Sequence, residues 1–171
     1  MGNSPGQTTR RILLTGLASI AIAGGAAHAL TPLKPVCATD RVTISGPFGK
    51  AAFNVDVAAN EVSRSQGLMH VESMPLSKGM LFVYPRPQIM SFWMRNTLIE
   101  LDMLFLDGFG VIQHIHHRAQ PLDETAISPG DMMLTGVLEI NGGLAKRLGI
   151  KAGDILRHPS FISLNDPWIC G

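Results

Sequence analysis

Residues 91–106 read SFWMRNTLIELDMLFL, and how this stretch divides decides the fold. It holds one of two tryptophans and two of nine methionines, in an apolar run broken only by Arg95, Asn96, Thr97, Glu100 and Asp102 after the opening Ser91. Side chains alternate across a strand, so two strands broken near Asn96-Thr97 are expected. The first sets Phe92, Met94 and Asn96 against Ser91, Trp93 and Arg95. The second sets Leu101, Met103 and Phe105 against Asp102, Leu104 and Leu106. Both faces of the second strand are apolar, as in a strand covered on both sides. Asp102 is therefore expected in a dry place, where a carboxylate requires hydrogen-bond partners.

Outward from this stretch, the 171 residues have room for a removable leader and one domain with a single core. With 18 glycines, 11 prolines and only 16% charged residues, the composition favours short elements and punctuated turns over a long helical bundle. Short strands are expected at 42–44, 53–57, 80–83 (closed by Pro85 and Pro87), 111–117, 132–141 and 155–156. In the 132–141 strand Leu134, Leu138 and Ile140 share one face, and Thr135, Val137 and Glu139 the other. Asn60 can cap a helix over 61–66 that Gly67 ends, and Gly142-Gly143 admits a second helix running to Leu148 and capped by Gly149. Asp107-Gly108-Phe109-Gly110 reads as a hairpin loop. About seven short strands and two short helices make a mainly β fold. A small, partly closed antiparallel β-barrel is the economical arrangement.

The first 29 residues read as an export signal rather than structure. Arg10-Arg11 precedes an uncharged run rich in Ala, Leu, Ile and Gly, which ends in the cleavage-site pattern Ala27-His28-Ala29. The twin arginine points to twin-arginine translocation, although Arg-Arg also occurs in general secretory leaders. The expected organisation is a signal peptide at 1–29, an extended lead-in at 30–40, a barrel domain at 41–157 and a tail at 158–171. The mature product is expected to be a periplasmic or secreted monomer with no membrane span. Removing the leader takes away two of the 14 Lys and Arg, leaving 12 against 13 Asp and Glu. A near-neutral chain without a basic stripe does not suit nucleic acid. Cys37 and Cys170 are the only cysteines. In an oxidising compartment they are expected to form a disulfide clasping tail to lead-in, the alternative being free or intermolecular thiols.

Six short motifs fall in order between the 53–57 strand and Ile155. They are Gly67-Leu68-Met69, Gly79-Met80-Leu81-Phe82, Phe92-Trp93-Met94-Arg95-Asn96-Thr97, Leu101-Asp102, Ala119-Gln120-Pro121 and Val137-Leu138-Glu139-Ile140. In this respect the chain resembles the bacterial and archaeal domain-of-unknown-function family 192. The resemblance implies a small, often exported, β-barrel-like domain and carries no activity with it. Glu100 departs from the family pattern, which usually has proline there.

Asp102 and Glu139 are the two acids set in apolar strands. Facing one cavity they would serve as general acid and base, or as polar anchors of a ligand pocket. The bland alternative is that each accepts structural hydrogen bonds. Trp93, Met94, Arg95, Asn96 and Thr97 complete the candidate binding set, with Trp93 a stacking platform if it is exposed. His114 and His116 fall on one strand face, about 6 to 7 Å apart, with His117 opposite. They are weak candidates for a shared metal with Asp123 or Glu124, and an exposed strand carrying imidazoles is the better reading. No cofactor is expected, and no G-x-S-x-G or phosphate loop is present. The favoured function is a non-catalytic periplasmic module binding a small molecule or envelope component. The alternative is a small envelope hydrolase with Asp102 and Glu139 as its carboxylates.

Overall fold

The structure, a computed structural model, describes residues 38–161. The expected signal peptide, most of the lead-in, Cys37, Cys170 and Trp168 lie outside the described residues, and with them the proposed clasp. Seven strands form one sheet: β1 (Arg41–Gly46), β2 (Gly49–Ala58), β3 (Lys78–Gln88), β4 (Leu101–Leu106), β5 (Ile112–Ala119), β6 (Leu134–Asn141) and β7 (Ile155–Arg157). Two short helices accompany them, α1 (Glu61–Gln66) and α2 (Leu144–Leu148). The spatial order is β5-β4-β6-β3-β2-β1-β7, with every pair antiparallel except β2 and β3. That parallel pair needs a crossover, and α1 lies on it.

The sheet curls until its ends meet. Val111, just before β5, bridges Ile155 of β7, and Leu156 N donates to Gly110 O at 2.8 Å. Gly110 has φ +75°, and a Cβ there would lie 2.2 Å from Leu156 O, so glycine is required at this seam. The fold is a mainly β, curled half-barrel, as the strand pattern predicts.

Apolar residues from all seven strands fill the inside of the curl, among them Ile44, Phe53, Leu81, Leu104, Leu138 and Leu156. Phe161 of the tail packs into the same core. A second core covers the other face of the sheet around Phe82, Met103, Phe105 and Val137, capped by Leu68, Met90 and Met94. β4 lies between the two cores, and all six of its residues are buried. Burying side chains such as Leu104 and Phe105 stabilises the fold by about 1.5 to 3 kcal/mol each.

Three local expectations need correction. Residues 91–96 do not form a strand; only Phe92 bridges, to Ile127. Asn96 adopts φ 54°, and Thr97 N donates back to Met94 O, so the chain turns where an extended strand was expected. Its backbone also pairs with other loops, His70 N donating to Asn96 O and Met94 N to Asp123 O. The segment is a cover on the second core, with Met94 as its plug. Pro85 and Pro87 do not end β3, which runs on to Gln88. β2 pairs with β3 only as far as Phe82, and the β6 ladder shifts register between Val83 and Gln88. The prolines thus sit where a missing N–H breaks no regular ladder. The same irregularity turns Leu134 into the second core, away from Leu138 and Ile140.

Candidate functional site

Asp102 and Glu139 stand on neighbouring strands but open on opposite faces. Asp102 pairs with Ile140 and Met103 with Glu139. Directly paired residues share a face, so Asp102 looks toward the barrel interior and Glu139 toward the second core. An acid–base pair made of these two carboxylates is therefore ruled out by register, and the two-carboxylate hydrolase with it.

Asp102 is fully buried and fully engaged. One carboxylate oxygen accepts from Arg118 N and Gly143 N, both at 2.9 Å, and the other from Ala145 N at 2.8 Å. Gly143, the N-cap of α2, has no side chain to cap with, so Asp102 accepts from two amides at the start of that helix, Gly143 N and Ala145 N, from a neighbouring strand. His117 Nδ1 lies 3.7 Å away. Glu100, the departure from the family pattern, belongs to this side. It pairs with Arg118 at 2.9 Å and accepts from Gln120 at 3.2 Å. Asp102 is a structural anchor.

Glu139 is the opposite case. Only 5% of it is exposed, and no described residue donates a hydrogen bond to its carboxyl. Burial alone raises its pKa to about 8, which keeps the acid mostly neutral near pH 7. It lines a cavity of about 270 Å³. α1 and the turn after it contribute Arg64, Ser65, Gln66, Gly67, Leu68 and Met69; β3 contributes Phe82 and Tyr84; the 91–97 cover contributes Ser91, Phe92, Trp93, Arg95 and Thr97.

Local sequence explains how these walls stand. An Asn60–Ser63 capping box starts α1, with Ser63 N donating to Asn60 Oδ1 at 2.8 Å. Gly67 ends the helix at φ +49°, where a Cβ would press on Phe82 at 3.3 Å. Arg64 Nη1 donates to Ala59 O and Val83 O, which lays the guanidinium 4.8 Å over the Tyr84 ring. Phe92 stands edge-on between Phe82 and Phe105. Trp93 is 51% exposed at the mouth, with the Arg95 guanidinium 5.8 Å from its ring. Burial raises the Tyr84 hydroxyl above its ordinary range, Arg64 opposing and Glu139 adding to the shift, so the phenol stays protonated.

Of the binding candidates read from sequence, Trp93, Arg95, Thr97 and Glu139 meet at this cavity. Met94 is buried beneath it, Asn96 points to Met69 Sδ on the surface, and Asp102 lies on the other face. Arg64, Tyr84 and Phe92 were missed. The Gly67-Leu68-Met69 motif and the lone tyrosine were the signals that would have led to them. His114 and His116 do share a face, pairing with Phe105 and Met103. Their suggested third ligands are elsewhere: Asp123 accepts from Thr125 N, and Glu124 pairs with Arg95 at 3.9 Å. Among the described residues no three His, Cys, Asp or Glu side chains gather as a metal site.

The chain matches the model of domain-of-unknown-function family 192, described as an uncharacterised ACR, over residues 42–158. No curated protein matches it. Among solved structures it is similar to a protein of unknown function from Novosphingobium aromaticivorans DSM 12444. The two are 39% identical with a TM-score of 0.66, over 68% of this chain and 83% of that one. A protein of Sinorhizobium meliloti 1021, described as a "putative transcription regulator", is 37% identical with a TM-score of 0.67, over 71% of this chain and 94% of that one.

Proposed function

The chain belongs to domain-of-unknown-function family 192, and we propose that it is an exported accessory module that binds a small molecule or envelope component in the Glu139 cavity. The observation that carries this reading is a buried, unpaired carboxyl group set into a cavity with aromatic walls. Such a group costs stability wherever it lacks a partner, and groups of this kind concentrate where ligands bind. A purely structural role at position 139 would be served better by leucine or methionine. The signal-peptide pattern over residues 1–29 supports export, and the near-neutral charge expected after its removal speaks against nucleic acid as the partner. The half-exposed Trp93 supplies a flat apolar surface at the mouth.

A thermal-shift screen of the mature protein against metabolites, sugars and cell-wall fragments tests the reading. Ligands that stabilise the wild type are expected to bind Trp93→Ala at least about tenfold more weakly, the loss of one well-stacked aromatic contact. The melting temperature of the unliganded variant should barely move, because Trp93 is half exposed. Stabilising ligands indifferent to Trp93→Ala would place binding elsewhere.

A further inference from the structure

Building on the proposed binding role, we infer that the Glu139 cavity takes a small organic anion, a carboxylate with a flat apolar body. Charge decides between the ligand classes. The lining carries two permanent positive charges, Arg64 and Arg95, and one acid, Glu139. Arg64 is fixed through Nη1 alone, and its other N–H groups meet no acceptor among the described residues. Among the described residues the only ion pair of Arg95 is with Glu124 at 3.9 Å, and both side chains are more than half exposed. Such a pair holds weakly, so a ligand carboxylate can displace it, and a guanidinium receives a carboxylate through two parallel hydrogen bonds.

Glu139 completes the site as a donor. A cationic ligand would have to ionise a buried acid in a cavity whose lining also carries two guanidinium groups. An anion finds the acid already protonated and able to donate its O–H. The rings of Phe92, Tyr84 and Trp93 then receive the apolar body. The charged or titratable groups that share the cavity lining with Glu139 are Arg64 from α1, Tyr84 from β3 and Arg95 from the cover, while its direct neighbours on β3 and β4, Met80 and Met103, carry no charge. Burial holds the Tyr84 phenol above its ordinary range, so Glu139 sets the pH response of the pocket around neutrality.

The test uses three isosteric probes, benzoate, benzamide and benzamidine, titrated into the mature protein and followed by NMR shifts of cavity amides. Benzoate is expected to bind most tightly. Its affinity should hold steady between pH 6 and 7 and fall about tenfold per pH unit above 8, as Glu139 loses its proton. Glu139→Gln keeps a neutral donor, so it should still bind benzoate but with a flat pH profile. Arg95→Gln should weaken benzoate by about tenfold or more, the scale of one charge-assisted hydrogen bond, and leave benzamide unchanged. Benzamidine or benzamide binding as tightly as benzoate would overturn the anion assignment and leave the binding role standing. If none of the three shifts the cavity amides at roughly 50 mM, generous for ligands this small, both inferences fall.

Discussion

Asp102→Asn is expected to destabilise the fold by on the order of 3 kcal/mol, because three backbone amides lose the charged acceptor they converge on. Asparagine keeps one oxygen and turns an NH₂ group toward a backbone N–H. With that oxygen on Arg118 and Gly143, the amide faces the Ala145 N–H and two donors meet. The reverse orientation strands the other two amides. The damage should spread through α2, since Asp102 supplies the N-terminal cap that Gly143 lacks. Chemical denaturation of wild type and variant measures the loss, and a melting temperature lower by roughly 10 °C should accompany it. Ligand binding at the Glu139 cavity should persist in the folded variant, because the two acids occupy opposite faces. A loss below about 1 kcal/mol would contradict the anchoring role.

Glu139→Gln should act in the other direction. The folded state holds this proton until pH 8 or so, whereas the unfolded chain releases it near the ordinary glutamate value of 4.5. Below that value both states are protonated and the group has no ionisation cost. Between 4.5 and about 8 only the unfolded chain is ionised, and wild-type stability falls by about 1.4 kcal/mol per pH unit. Above the folded-state value the loss levels off. Glutamine does not titrate. Relative to wild type, the variant should therefore gain roughly 3 kcal/mol between pH 4 and pH 7, and more by pH 8. Denaturation curves of both proteins across this range measure the gain, and a difference that stays constant with pH would refute it. Removing a stability cost from a ligand-binding group commonly stabilises a protein while impairing its function.

Much of the framework was legible because it depends on local rules. β4 announced itself by apolar residues on both faces, and Asp102 was expected to be dry and partnered, which it is. Asn60, Gly67 and Gly149 marked helix ends through capping chemistry that needs no tertiary context. The cover at 91–97 misled because the alternation of Phe92 and Met94 imitates a strand. What turns it into a loop is a left-handed Asn96 and hydrogen bonds to His70 and Asp123, far away in sequence. Glu139 was recognisable as an acid among apolar neighbours. Its separation from Asp102 was not, since it follows from the pairing of Asp102 with Ile140, a register set by the whole sheet. Arg64 and Tyr84 stayed hidden because α1 and β3 reach the cavity only once the crossover between β2 and β3 has formed.

A buried, neutral, unpaired carboxyl group at the cavity is what sets Glu139 apart from Asp102. Following the side-chain carboxyl carbon of Glu139 by NMR against pH tests that directly, with Glu139→Gln providing the assignment. The midpoint is expected near pH 8 in the unliganded protein, moving upward when a carboxylate ligand is bound. A midpoint in the ordinary glutamate range between about 4 and 5 would mean a solvated or partnered carboxylate, and would contradict the neutral, unpaired state.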